Sequence, residues 1–154
     1  MARDFFGGKA RRKALLGAKL DRATATLPAS TYGALFNIIG GRVILTSMVG
    51  EVTTIVQTQA CNLKITATAT TGDAVDVTAN LDVGTAPKAV GCLLGIGVFA
   101  AATIGANAGA TTTPLPVIVP IGTLGLTTSA TNTGSVKWSV TYMPYDDGAM
   151  LVSA

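Results

Sequence analysis

The sequence predicts an all-β protein: an antiparallel β-sandwich or jelly-roll-like domain that carries a basic N-terminal arm. Three observations lead to this fold class. Short runs rich in valine, isoleucine and threonine recur from residue 31 onward, turn-forming residues separate them, and no long amphipathic helical pattern follows residue 22. Many short strands at close spacing are typical of such folds. We therefore divide the chain into an arm with its linker, residues 1–30, and a body, residues 31–154.

Within the arm, residues 8–20 (GKARRKALLGAKL) predict a short helix with its leucines partly on one side. A helix of about thirteen residues is marginal in water unless it docks on a surface. Residues 23–30 include Pro28 and predict an extended linker. The apolar patch at residues 14–18 is too short for the core of a secretory signal peptide.

The body is a succession of short predicted strands. Polar and apolar residues alternate in residues 62–68 and 135–142, as expected of antiparallel strands with one exposed face. Residues 104–120 predict a long loop with a strand at its end, because they are rich in glycine, alanine, threonine and proline. The predicted strands are residues 34–39, 42–48, 51–58, 61–70, 74–81, 93–100, 116–119, 123–127, 135–143 and 150–152. The predicted turns lie at Gly40–Gly41, Gly50, residues 71–73, Gly84 and residues 132–134.

The formal net charge of +3 hides a strong asymmetry along the chain. Up to residue 22, seven basic residues face two acidic ones, which gives this segment a net charge of +5. The remaining residues hold four basic and six acidic side chains, a net charge of −2. The basic character therefore belongs to the arm, and the body is nearly neutral.

The chain contains no histidine, and this excludes several kinds of catalytic site. Ser-His-Asp and Cys-His nucleophiles, histidine proton shuttles and ordinary zinc sites all need an imidazole. The aspartates of the Asp73/Asp76 and Asp146/Asp147 pairs fit turns or an exposed rim better than a calcium site, which needs more oxygen ligands. We expect no enzyme activity, no metal and no cofactor.

Two further patterns have simple structural interpretations. Cys61 and Cys92 match neither a metal-binding nor a redox spacing, so we expect two packed thiols, with a single disulfide as the alternative. Residues 89–106 are uncharged and reach the lower length limit of a membrane span. They also contain four glycines and lie among β-branched residues, so we expect a buried strand followed by a loop.

The basic arm is the best candidate for a partner-binding site. A cluster at Arg11, Arg12 and Lys13 attracts phosphates or an acidic protein surface, and the alternative is a solvated, disordered tail. The arm has only two aromatic residues that could stack on bases, Phe5 and Phe6, and this argues against sequence-specific recognition of nucleic acid. The apolar, glycine-flanked tip suggests insertion into a neighbouring protein instead. The candidate residues are Phe5, Phe6, Arg11, Arg12, Lys13, Lys19 and Arg22.

Several stretches of the body carry a resemblance to a known group of proteins. They are residues 34–54 (ALFNIIGGRVILTSMVGEVTT), 85–87 (TAP), 119–123 (VPIGT) and 131–149 (TNTGSVKWSVTYMPYDDGA). In these stretches the chain resembles small virion structural proteins of tailed bacteriophages, some of which are capsid decoration or cement proteins. The resemblance covers roughly residues 31–154 and does not include the arm.

The resemblance implies a structural role on the virion. A cement protein bridges subunits of the head shell, so the implied partners are the major capsid protein or other virion proteins, and the implied location is the capsid surface. Closed symmetry favours a homo-oligomer, for which we expect a trimer. The alternatives are a tail or head-fibre component, a coat protein whose basic arm contacts packaged nucleic acid, and an enzyme that the sequence does not reveal. We expect no membrane partner.

Overall fold

A computed structural model describes residues 8–96, 104–107 and 117–154, and in this part of the chain two antiparallel β-sheets pack face to face. The expectation of an all-β sandwich is therefore confirmed. In chain order the elements are α1 (Gly8–Leu16), β1 (Ala18–Asp21), β2 (Ala25–Thr26), β3 (Tyr32–Ile39), β4 (Val43–Thr54), β5 (Asn62–Ala69), β6 (Ala74–Asp76), β7 (Leu81–Asp82), β8 (Leu93–Ile96), β9 (Ile104–Asn107), β10 (Val117–Val119), β11 (Gly122–Thr128), β12 (Ser135–Pro144) and β13 (Met150–Ser153).

The two sheets divide the strands almost evenly. Sheet A has the order β1-β12-β4-β8-β9, with β2 also paired to β12 and β10 also paired to β4. Sheet B has the order β13-β3-β11-β5-β6, with β7 also paired to β5. The long strands β4 and β12 pair from Val43↔Pro144 to Thr54↔Ser135 and form the centre of sheet A.

The core lies between the two sheets and is mostly aliphatic. The alternation in the sequence places Leu63 and Ile65 of β5 inside, each with 0% of its surface exposed, while Lys64 between them faces outward. On β12 the same alternation buries Trp138 and exposes Lys137. Removing such apolar surface from water is the main driving force for folding.

The short helix expected at residues 8–20 is present but ends earlier, and the extended linker expected at residues 23–30 contains β2, which pairs with β12. Helix α1 ends at Leu16, and Ala18–Asp21 form a strand on the outer edge of β12. The backbone continues along that edge, since Arg22 N–H donates to the Trp138 carbonyl at 2.9 Å and Leu27 N–H donates to the Gly134 carbonyl at 2.9 Å. Without this pairing, one edge of β12 would expose its peptide groups without β-sheet partners.

The turn expected at Gly50 is also wrong, because β4 runs through this position without interruption. Gly50 lies directly opposite Trp138 in the β4/β12 pairing. A Cβ at residue 50 would lie 2.9 Å from Trp138 Cζ3 and 2.9 Å from Val136 Cγ1. Glycine is therefore present because the indole needs its space, not because the chain turns.

Two other strand predictions differ in detail. The expected strand at residues 74–81 is split into β6 and β7, since Thr78 turns inward and its hydroxyl accepts the Ile65 N–H at 2.9 Å. Part of the loop expected at residues 104–120 is β9, which pairs with β8. The end of the strand expected at residues 93–100 lies outside the described residues after Ile96.

Polar clamps fix the loops at the two ends of the sandwich. The buried side chain of Asn132 donates to the Gln57 carbonyl at 3.3 Å and accepts N–H groups from Gln57 and Gly134, both at 3.1 Å. At the other end Asp146 receives two hydrogen bonds from the Arg42 guanidinium, at 2.8 and 2.9 Å. These bonds lower the pKa of Asp146 to about 2.

The two cysteines are free thiols, as expected, whereas residues 89–106 contain two paired strands where a strand and a loop were expected. Cys61 is buried and its thiol donates to the Ala130 carbonyl at 3.3 Å, and Cys61 and Cys92 form no disulfide. Strand β8 and the first three residues of β9 lie within residues 89–106. None of the helical segments in the described ranges is long and apolar enough to cross a membrane.

The contact between Gly50 and Trp138 gives a test of the fold. We predict that Gly50→Ala lowers the free energy of unfolding by about 1–3 kcal/mol, because the added methyl group overpacks the indole. Urea unfolding followed by circular dichroism measures this change. In a Trp138→Phe background the cost of Gly50→Ala should be smaller, because the smaller ring leaves room. An equal cost in both backgrounds would show that the indole does not constrain residue 50.

Candidate partner-binding site

The structure separates the predicted arm residues into two groups. Arg11, Arg12 and Lys13 lie on helix α1, whereas Lys19 lies on β1 and Arg22 follows it. The side chain of Arg12 is outside what the structure describes, and so are Phe5 and Phe6. The break between the groups falls at Gly17, where the chain passes from helix to sheet.

Gly17 makes this passage possible. Its N–H donates to the Lys13 carbonyl at 3.0 Å, and its φ of +92° closes the helix in the left-handed conformation. A Cβ at this position would collide with the backbone carbonyl of Tyr142 on β12. The next anchor is the Thr46 hydroxyl, which donates to the Leu16 carbonyl at 2.7 Å. The C-terminal end of α1 is thus fixed to sheet A.

Helix α1 presents an apolar and positively charged surface. Leu15 is 79% exposed and Leu16 is 51% exposed, the largest such pair of neighbouring residues on the described surface. Arg11 and Lys13 are also exposed, and the helix sequence GKARRKALL contains no acidic residue. An exposed leucine pair costs free energy in water, so this surface is suited to burial against a partner that carries negative charge.

Lys19 has an electrostatic partner on its own strand. Its ammonium lies 2.6 Å from the Asp21 carboxylate, which also accepts a 2.6 Å hydrogen bond from the Ser139 hydroxyl on β12. These bonds, the one from Lys19 first, lower the pKa of Asp21. Because the negative charge of Asp21 offsets the positive charge of Lys19, this pair adds little net positive charge to the surface.

Arg22 lies in a different environment from the other predicted residues. It lines a cavity of about 320 Å³ between the edge of sheet A and the start of β3, together with Leu27, Tyr32 and Trp138. No pattern in the sequence predicts this cavity, since its walls come from segments distant in the chain that only the folded sandwich brings together.

The outer face of sheet B is rich in threonine. The Thr66 hydroxyl bonds to the Thr127 hydroxyl at 3.1 Å, and the Tyr32 hydroxyl bonds to that of Thr123 at 2.6 Å. Beside them Lys64 pairs with Asp76 at 2.7 Å, which lowers the pKa of this carboxyl group. This face is polar but largely satisfied by its own hydrogen bonds.

The carboxylates of the described residues do not form a metal centre. No group of three or more Asp, Glu, Cys or His side chains comes together in residues 8–96, 104–107 and 117–154. Asp82 instead organises a turn, since it accepts hydrogen bonds from Thr85, Gly84 and Cys61 that strongly lower its pKa. The aspartates with lowered pKa values thus serve structural hydrogen bonds.

Comparison with models of known families, with curated proteins and with solved structures finds no match to this chain. Its function is therefore inferred from its own surfaces. Among the features described above, the exposed surface of α1 and the Arg22 cavity are the two that the packing of the sandwich itself does not use.

The junction at Gly17 leads to a prediction for the arm. We expect Gly17→Ala to displace α1 from sheet A, because the methyl group collides with the Tyr142 carbonyl and the positive φ disfavours alanine. Trypsin should then cut the Arg11–Lys13 segment several times faster than in the unmodified protein. Limited proteolysis followed by mass spectrometry measures this rate.

Gly148→Ala is the matched control for this experiment. Gly148 has a similar φ of +83°, but open space surrounds the position of its missing Cβ. It therefore carries the same conformational penalty without the collision, and we expect no change of cleavage in the arm. Equal cleavage of the two variants would mean that the Tyr142 contact does not hold α1.

Proposed function

We propose that this protein is a structural virion protein of a tailed bacteriophage, a capsid decoration or cement protein that binds and stabilises the head shell. The observation that carries the proposal is the surface of α1, where Leu15 and Leu16 are exposed beside Arg11 and Lys13. This helix is anchored by its last residues to a rigid sandwich. A short cationic helix that exposes two leucines and is attached to a stable domain has the properties needed to bind another protein.

The body supports a structural role. Distant parts of the chain are joined by the pairing of β4 with β12. They are also joined by the hydrogen bonds of Asn132 and by the Arg42–Asp146 ion pair. Asp21, Asp76 and Asp146 are used in ion pairs, and the described carboxylates do not gather in groups of three or more. A decoration protein needs such a stable platform and requires no chemistry of its own.

The partner of α1 would be an acidic and partly apolar surface of the major capsid protein or of another virion protein. Four of the nine residues in α1 are basic, so opposite charge on the shell would speed the encounter and orient the helix. The leucine pair would then supply most of the buried apolar area. We further propose a homo-oligomer, a trimer placed on symmetry positions of the head, since closed symmetry lets each arm reach an equivalent site.

Removal of α1 from the body tests the proposal. The truncation should start the chain at Gly17, because residues 18–27 pair with β12 and a longer deletion would open sheet A. We predict that this variant keeps its cooperative thermal unfolding but no longer binds heads assembled without the protein. Occupancy is measured by sedimenting the heads and quantifying the bound protein. Decoration at full occupancy by the truncated protein would refute docking through α1.

Two double variants test whether binding depends on the leucines of α1 or on surface hydrophobicity in general. Leu15→Ser with Leu16→Ser should reduce binding to heads at least about tenfold, because the two side chains lose their apolar contact area. The control is Val75→Ser with Val90→Ser, which removes two valines of similar exposure, 61% and 63%, from other loops and strands. Equal losses in both double variants would contradict a specific role of α1.

The other two virion roles predict different results in the same preparation. A coat protein is required for the shell, so heads would not assemble without it, and its arm would retain DNA with a steep dependence on salt. A tail or fibre component would be found by labelling at the tail or on fibres rather than across the head surface. Either result would replace the decoration role.

A further inference from the structure

The cavity beside Arg22 has the size of a small-molecule site. Its volume of about 320 Å³ lies at the lower end of the roughly 300–1,000 Å³ found for small-molecule pockets. Its lining is mixed: Leu27, Leu35 and Trp138 contribute apolar atoms, and polar atoms make up a similar share. Arg22 is the one charged residue among the lining residues.

The guanidinium of Arg22 lacks partners in the described part of the chain. Its Nε is buried and has no hydrogen bond, and no described carboxylate forms an ion pair with Arg22. By contrast, Lys19, Arg42 and Lys64 each pair with an aspartate. A buried donor without an acceptor costs free energy, so an acceptor supplied from outside would recover it.

The backbone holds Arg22 in place at this cavity. Its own N–H donates to the Trp138 carbonyl at 2.9 Å, which continues the pairing of Ala18–Asp21 with β12. The residue is therefore part of the edge of sheet A rather than of a free arm. Because the backbone of Arg22 is already ordered, anion binding there costs less conformational entropy than binding by a free arm would.

We propose that this cavity binds a carboxylate group carried on a small apolar body. A carboxylate presents two oxygens in one plane, which matches the planar donors of a guanidinium. The apolar part of the lining suits a small aliphatic body, and the single guanidinium balances the one charge of a carboxylate but not the two charges of a phosphate. The carboxylate can belong to a free small molecule or to the C-terminal residue of a polypeptide, and both would present the same group to Arg22.

The single tryptophan of the chain allows the site to be tested directly. Because Trp138 lines the cavity, its fluorescence should change when a ligand enters. We would titrate the full-length protein with 4-methylpentanoate, its uncharged amide and isobutyl phosphate. We predict a saturable change with the carboxylate and binding at least about tenfold weaker for the amide, which cannot pair its charge with Arg22. Isobutyl phosphate should also bind more weakly than the carboxylate.

Two peptides distinguish the possible sources of the carboxylate. Acetyl-Ala-Ala-Leu with a free C-terminus and the same peptide with a C-terminal amide differ only in the charged group. Tighter binding of the free peptide than of 4-methylpentanoate would assign the site to a polypeptide C-terminus. Tighter binding of 4-methylpentanoate would assign it to a small carboxylate.

Variants of the two neighbouring basic residues provide the control. Arg22→Gln should weaken carboxylate binding at least about tenfold, whereas Lys19→Gln makes the same change of charge on the outer surface and should leave binding within about twofold. Equal affinity for acid and amide, tighter binding of the phosphate, or unchanged binding by Arg22→Gln would overturn the proposal. If Arg22→Gln fails to fold, the comparison of acid with amide on the unmodified protein still decides it. The absence of any saturable change would also overturn it.

Discussion

Strand β12 is the element on which the rest of the structure depends, because it is paired along both edges. On one edge it pairs with β4, where Trp138 lies opposite Gly50. On the other edge it pairs with residues 18–26, which the sequence had suggested were an arm and linker. The inner face of the same strand contributes Val136, Trp138 and Val140 to the core. Both candidate binding features follow from this position. Helix α1 directly precedes β1, which pairs with β12, and Arg22 follows β1 along the same edge.

Much of the body could be predicted from the sequence because its strands are amphipathic. In β5 and β12 the alternation of polar and apolar residues matches the burial in the structure, since a register shift by one residue would turn every apolar side chain outward. The two thiols were also predicted correctly. These features depend on local pattern, which a single sequence contains.

The errors arise where a distant residue decides the local structure. Gly50 has the properties of a turn residue, yet it lies within β4 because Trp138, far along the chain, packs on it. Residues 18–27 have no strong strand pattern, and they are extended because β12 offers unpaired peptide groups. The predicted site was affected in the same way: Arg22 and Lys13 are close in sequence, but one lines a cavity and the other lies on an exposed helix. The cavity itself needs both sheets and has no signature in the sequence.

We propose that Gly17 divides the chain into a docking segment, residues 8–16, and the sandwich body, to which residues 18–27 belong. Hydrogen exchange measured by mass spectrometry, on the free protein and on the protein bound to heads, tests it most directly. Residues 18–27 should exchange slowly in both states, whereas residues 8–16 should exchange fast in the free protein and slowly when bound. Exchange of residues 8–16 that stays equally fast on decorated heads would contradict it.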